Sequence, residues 1–255
     1  MPGRHGRLPG DHGAAVIRVF EDPETLSRGA AEFIVGVARE AVAGRGRFSV
    51  ALSGGGTPRR TYELLAQPHF RDEVDWARSH IFWGDERCVA PDDPRSNARL
   101  AKGALLDHVP VPAGQVHPMD CRPSPAAGAQ CYEALLREFF APGEPRFDLI
   151  LLGLGENGHT ASLFPGAPVL AETKRWVAAV YVAEQDLRRL TLTAPLINQA
   201  QAVAFLVAGA AKAAVVREVI AGPWDPKRLP AQLIRPESGQ LHWLLDQASA
   251  GSLRL

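Results

Sequence analysis

Apolar residues follow two rhythms along this chain. Short, mostly apolar runs at Val16–Phe20, Phe48–Leu52, residues 80–83, residues 147–152 and Ala202–Val207 have the length of strands buried on both faces. Between them, apolar positions recur every three or four residues. Leu26, Ala30, Phe33, Ile34, Val37, Ala38 and Ala41 form one such stripe, and Tyr132, Leu135, Leu136 and Phe139 form another. Further strands are predicted near residues 176–182, 189–193 and 241–245, with a helix over residues 210–220. Strands alternating with helices predict an α/β fold, a mainly parallel twisted sheet with helices on both faces.

Local signals set the expected ends of these elements. Asp22-Pro23 predicts a helix start, and Gly44 is expected to end that helix. Thr57 is expected to cap, and Pro58 to open, a helix reaching about residue 66; Ser96 is expected to cap another that carries Leu100, Ala101 and Leu105. Proline-rich joints near residues 110, 123, 165 and 223 punctuate the chain without forming a linker. A single domain over residues 14–255 is therefore expected. Residues 1–13 are basic and glycine-rich, lack the apolar segment of a signal peptide, and are expected to be a flexible tail.

Composition narrows the chemistry. Lys plus Arg and Asp plus Glu are both 28, so the formal charge is zero and no broad nucleic-acid or membrane-surface footprint is expected. No apolar stretch has the length of a bilayer span. The three cysteines, Cys88, Cys121 and Cys131, form no CxxC pair. They argue against a disulfide framework or structural zinc and are read as small apolar filler in a reducing cytoplasm. The eight histidines show neither HxH nor HExxH spacing, so no metal motif is visible.

Three segments carry candidate chemistry. The apolar run at residues 147–152 ends in Gly153-Leu154-Gly155-Glu156-Asn157-Gly158-His159. A buried strand delivering one imidazole on a glycine turn, at the edge where α/β sheets bind ligands, points to a general base. Ser53-Gly54-Gly55-Gly56-Thr57-Pro58 links a strand to a helix start and makes a phosphate cradle from backbone N–H groups. No Lys-Ser or Lys-Thr follows, so it is not a nucleotide P-loop. Asp85-Glu86-Arg87 follows another strand, and Arg87 suits a phosphate; Lys212, early in a predicted helix, can supply further charge. Arg95, Ser96 and Asn97 are expected rim contacts. The glycines at 153, 155 and 158 also match GxGxxG, but Pro165, Gly166 and Pro168 leave room for only about two helical turns, too few for a dinucleotide-binding crossover helix.

Together these blocks resemble the 6-phosphogluconolactonase family of the pentose phosphate pathway. The likeness rests on residues 52–58, on Trp83-Gly84-Asp85-Glu86-Arg87, on Asp93 and Ser96-Asn97, and on residues 153–165. Residues 189–193, Gly209-Ala210-Ala211-Lys212 and residues 241–246 add to it. The resemblance implies a fold like that of glucosamine-6-phosphate deaminase and ribose-5-phosphate isomerase, no cofactor or required metal, and a sugar-phosphate lactone as substrate. It implies no nucleic-acid or membrane partner and leaves open whether the chain is a monomer or a dimer. His159 is implied as general base, with Asp85 and Glu156 as candidate catalytic carboxylates. Gly54, Gly55, Gly56, Thr57, Arg87, Asn157, Gly158 and Lys212 are expected to bind the substrate or its phosphate, and N–H groups near Gly155 and Gly158 to hold the oxyanion. Two positions depart from the family pattern: Asn157 stands where many members carry aspartate, and Gly56 where serine is frequent. Related deaminases place a carboxylate after the histidine turn in an Asn-Glu-Pro segment, whereas here Thr160-Ala161-Ser162-Leu163-Phe164-Pro165 has no acid. A non-catalytic phosphosugar sensor would keep the cradle but have no use for the histidine.

Overall fold

A computed structural model describes residues 4–7, 15–122 and 124–253. Its strands are β1 Arg4–Arg7, β2 Val16–Phe20, β3 Phe48–Leu52, β4 Ser79–Trp83, β5 Asp85–Arg87, β6 Leu149–Leu152, β7 Val177–Val182, β8 Leu187–Leu192, β9 Ala202–Val207 and β10 Gln240–Asp246. The helices are α1 Pro23–Arg45, α2 Gly56–Leu65, α3 Pro68–Arg71, α4 Asn97–Ala101, α5 Pro125–Phe140, α6 Ala194–Ile197, α7 Ala213–Ala221 and α8 Gln247–Ala250. None is long and apolar enough to cross a membrane.

The main sheet has the order β1-β2-β10-β9-β6-β3-β4. All its pairs are parallel except β1 with β2. β3, β6 and β9 are buried at every position, which requires cover on both faces and explains why Ser49 is the single polar residue among them. α1 supplies part of that cover, packing on β2, β3 and β10. Within the expected N-terminal tail, Arg4–Arg7 form the antiparallel edge strand; the rest of residues 1–13 lies outside the described residues.

Helix ends refine the sequence expectations. Asp22 and Thr25 form a reciprocal capping box with Pro23 in first position, as the sequence predicts. α1 runs past Gly44, because Gly46 adopts the left-handed conformation (φ 75°) and closes the helix on Val42 O. α2 starts earlier than expected, at Gly56, with Gly55 and not Thr57 at the cap.

A second, antiparallel sheet has the order β5-β8-β7. Gly84 joins the two sheets: its N–H donates to Leu52 O of β3 (2.8 Å), while its carbonyl accepts from Leu192 N of β8 (2.8 Å). The polar run Asp85-Glu86-Arg87 is therefore strand, lifted out of the main sheet. The reading of the cysteines is corrected. Cys88 and Cys121 are disulfide-bonded, and Cys131 is exposed. Cys88 directly follows β5 and Cys121 precedes α5; folding brings their Cα atoms to 5.4 Å across a separation of 33 residues. Short-range spacing carries no trace of such a pair.

Candidate active site

The loops leaving β3, β4, β6 and β9 all rise from the carboxyl edge of the main sheet. From β3 the chain moves outward to β4, then back past it to β6, β9 and β10, so the strand order reverses between β3 and β6. Ligands bind in open α/β sheets at such a reversal. A cleft of about 300 Å³ lies there, lined by Gly54 to Thr57, Asp85, Arg87, His159, Arg189 and Lys212, among others.

One end of the cleft is built to hold an anion. Gly55 at φ 110° bends the chain sharply from β3 into α2, a conformation closed to most side chains. No side chain caps α2, so its first N–H groups and the positive end of its dipole remain available at the cleft. Arg87 Nη1 donates to Arg95 O (2.7 Å) and to Asn97 Oδ1 (2.9 Å), while its Nε is buried without a partner. Arg189 Nε is likewise buried and unpartnered, although Nη1 lies 3.6 Å from Asp85 Oδ2. Two guanidiniums beside the free N-terminus of α2 give this end of the cleft a concentration of positive charge suited to an anion. Lys212 ends the 3₁₀ turn before α7, with Nζ 3.9 Å from Glu156 Oε1.

The other end presents His159. Its Nδ1 lies 2.6 Å from Asn157 Oδ1, and its backbone N–H donates to that same atom (3.2 Å), which identifies the atom as the amide oxygen. An oxygen that only accepts assigns the proton to Nδ1 and leaves the lone pair on Nε2. Phe164 stacks on the ring at 4.2 Å and 17°. On the Gly155 side the imidazole sits so close that a Cβ on Gly155 would overlap it. Burial pushes the imidazole pKa down to about 4; Arg189, Lys212 and Arg87 add to the shift and Asp85 opposes it. His159 is therefore neutral at pH 7.

The carboxylates divide by role. Asp85 is buried at the cleft wall and accepts from Ser162 Oγ (2.6 Å) and Asn97 Nδ2 (3.1 Å). Glu86 is buried and collects the N–H groups of Arg87, Asn97 and Ala98 at 2.7 Å each, tying β5 to the start of α4. Burial raises its pKa against those hydrogen bonds. Glu156 has an exposed side chain that makes no bond to His159 and reaches only Lys212.

The cleft thus brings together His159, Asp85, Arg87, Lys212 and the glycine loop with Thr57. It does not include Glu156, Asn157 or Gly158 among its lining. Asn157 is hydrogen-bonded to the histidine, and Gly158, at φ 80°, packs against Leu229. The expected oxyanion donors also change. Gly155 N–H is spent on His159 O (2.8 Å) and Gly158 N–H on Gly155 O (2.9 Å). Among the described residues, Ala161 N–H forms no hydrogen bond; Ala161 lines the cleft in a left-handed conformation (φ 47°) unusual for alanine. Ser53 Oγ is buried there without a partner. Arg189 and Ser162 are the site residues that the sequence reading missed. The available signal for Arg189 was a charge running directly into Leu190-Thr191-Leu192 of a predicted strand.

Comparison with known proteins follows the same lines. The family model for glucosamine-6-phosphate isomerases/6-phosphogluconolactonase matches residues 21–243. A 6-phosphogluconolactonase from Synechocystis is 48% identical over 220 residues, covering 84% of this chain and 88% of the relative. One from Mycobacterium tuberculosis is 39% identical over 93% of this chain and 98% of its own length. The solved 6-phosphogluconolactonase of Trypanosoma cruzi superimposes with a TM-score of 0.85 at 29% identity, covering 96% of this chain and all of that one. A monomeric glucosamine-6-phosphate deaminase shares the fold (TM-score 0.80) at 22% identity. The chain belongs to the glucosamine-6-phosphate isomerase/6-phosphogluconolactonase family.

Proposed function

We propose that His159 is the general base of a lactone hydrolysis, in which the chain converts 6-phospho-D-glucono-1,5-lactone to 6-phosphogluconate in the pentose phosphate pathway. The phosphate sits at the N-terminus of α2 between Arg87, Arg189 and Lys212, which leaves the lactone ring beside the imidazole. Nε2 of His159 takes a proton from water as its oxygen attacks C1. Negative charge then develops on the former carbonyl oxygen and falls to a donor left unused at the cleft, Ala161 N–H. The C1–O5 bond breaks as the imidazolium returns its proton to O5.

The observation that carries this reading is a neutral imidazole, with its proton held on Nδ1, in the same cleft as an unsatisfied anion cradle. A δ-lactone already opens in water, so general-base help of about 10²–10⁴-fold plus positioning through the phosphate meets the demand. Asp85 acts through other groups: its bonds to Asn97, Ser162 and Arg189 hold the anion-binding arginine, and none reaches His159. Deamination is disfavoured because the segment after His159 carries no acid through Pro165.

The test follows NADPH formation by 6-phosphogluconate dehydrogenase from freshly generated lactone. His159→Ala is expected to lower kcat by about 10²-fold or more while 6-phosphogluconate binding survives. Unchanged turnover in that variant removes the base; ammonia release from glucosamine 6-phosphate by the wild type would replace the reaction.

A further inference from the structure

Behind the catalytic cleft lies a second and larger cavity, of about 910 Å³. The two are separated by β5 and the start of α4, and side chains alternate between them. Asp85 and Asn97 line the cleft; Glu86, Ser96 and Ala98 line the cavity; Arg87 borders both. Most of the cavity wall is apolar, including Val89, Leu106, Val111, Val116 and Met119. Trp83 also walls it. Its side chain is 1% exposed, and its indole N–H is buried without any partner. A buried donor left unpaired costs about 1–3 kcal/mol, so native interiors seldom retain one. Arg99, Lys102 and Arg122 stand at the rim. Lys102 pairs with Asp107 and Arg122 with Asp120, whereas Arg99 has no ion pair among the described residues.

We propose that this cavity binds a small amphipathic anion. An apolar body fills the space between Val111, Leu106 and Met119, and an acidic head group pairs with Arg99. The volume falls in the range of small-molecule sites, and the mix of apolar wall with few polar groups is their usual make-up. Such a ligand touches Glu86, whose carboxylate gathers the N–H groups of Arg87, Asn97 and Ala98. Occupancy therefore bears on Arg87 and on phosphate affinity, and by reciprocity a bound phosphosugar alters affinity for the anion. KM responds, while kcat, which depends on His159, does not.

The probe is 8-anilinonaphthalene-1-sulfonate, titrated by fluorescence into the full-length protein with and without saturating 6-phosphogluconate. Saturable binding of one dye per chain is expected, persisting with the phosphosugar bound. Val111→Trp, which fills the cavity, is expected to weaken the dye at least about tenfold, and Arg99→Glu to weaken it several-fold, with kcat retained in both. Retained kcat certifies that each variant is folded, and Arg99→Glu decides alone should Val111→Trp not fold. No saturable binding, strictly competitive and complete displacement of the dye by 6-phosphogluconate, or unchanged affinity in the folded variants would overturn the proposal.

Discussion

Which nitrogen of His159 carries the proton decides what the residue can do, and Asn157 makes that choice without adding charge. Aspartate at 157 would hold the same Nδ1–H and also stabilise the imidazolium; the amide does only the first. Burial and the cations Arg189, Lys212 and Arg87 then act on the ring with Asp85 as the only opposing charge, which accounts for a pKa of about 4. In the proposed complex a phosphate dianion neutralises those same cations, so substrate binding raises the basicity of the imidazole. In the free enzyme, NMR titration of the His159 ring is expected to show a midpoint near 4, moving up by about one unit or more with 6-phosphogluconate bound. In the proposed role the imidazole works only when neutral, so kcat/KM should hold from pH 7 down to about 5 and fall as pH approaches 4. Asn157→Asp is expected to raise the free-enzyme midpoint, and with it the acid limb. Asn157→Leu should cost about ten- to hundredfold in kcat with little change in KM, because the ring loses its partner while the anion cradle stays intact. Ring ¹⁵N shifts in that variant report whether the Nδ1–H tautomer is lost.

β5 shows how one short element serves both the fold and the site. Gly84 passes the chain from the main sheet to the small one, and the next three residues set Asp85 on the cleft, Glu86 behind it and Arg87 between. The disulfide at Cys88 anchors the end of this strand to the segment before α5. Closing 33 residues of chain is worth about 3–4 kcal/mol through the unfolded state. Cys88→Ser with Cys121→Ser should therefore lower urea stability by about that amount and raise KM several-fold, as Arg87 loses its neighbour's anchor. Wild-type protein in dithiothreitol should behave the same way, and equal KM values in oxidised and reduced protein would detach the bridge from the site. The sequence showed such elements unevenly. The buried strands, the Asp22 cap and the glycine loop were legible because their signals are local. Glu156 and Asn157 fall outside the cleft lining, because spacing within a tight turn does not say where adjacent side chains aim. Arg189, Ser162 and the disulfide were missed because partners 29 to 104 residues distant leave no local mark.

Across the molecule, zero net charge conceals a strongly cationic cleft, since Arg87, Arg189, Lys212 and a helix N-terminus face a single carboxylate there. Four parallel strands, each contributing the loop at its carboxyl end, concentrate this charge where the strand order reverses. The opposite consequence of deep burial appears at low pH. Burial lowers His159 and His242 to about 4, from an ordinary value of 6.5. Above pH 6.5 both are neutral in folded and unfolded chains alike, so they cost nothing. As pH falls from 6.5 towards 4 the unfolded chain takes up these protons first, and stability drops by about 2–3 kcal/mol for each histidine. Glu86, whose pKa is raised, works in the opposite direction and softens the loss. His242 isolates the effect, for its ring forms no hydrogen bond among the described residues and packs tilted (51°) against Phe33 at 4.6 Å, outside the cleft. His242→Phe keeps the aromatic packing and removes the titration. Its melting temperature is expected to match the wild type at pH 8 and to exceed it at pH 4.5, where the gain should be about 2 kcal/mol. Thermal unfolding of both proteins at the two pH values checks this, and an equal offset at both would mean that packing, not protonation, separates them.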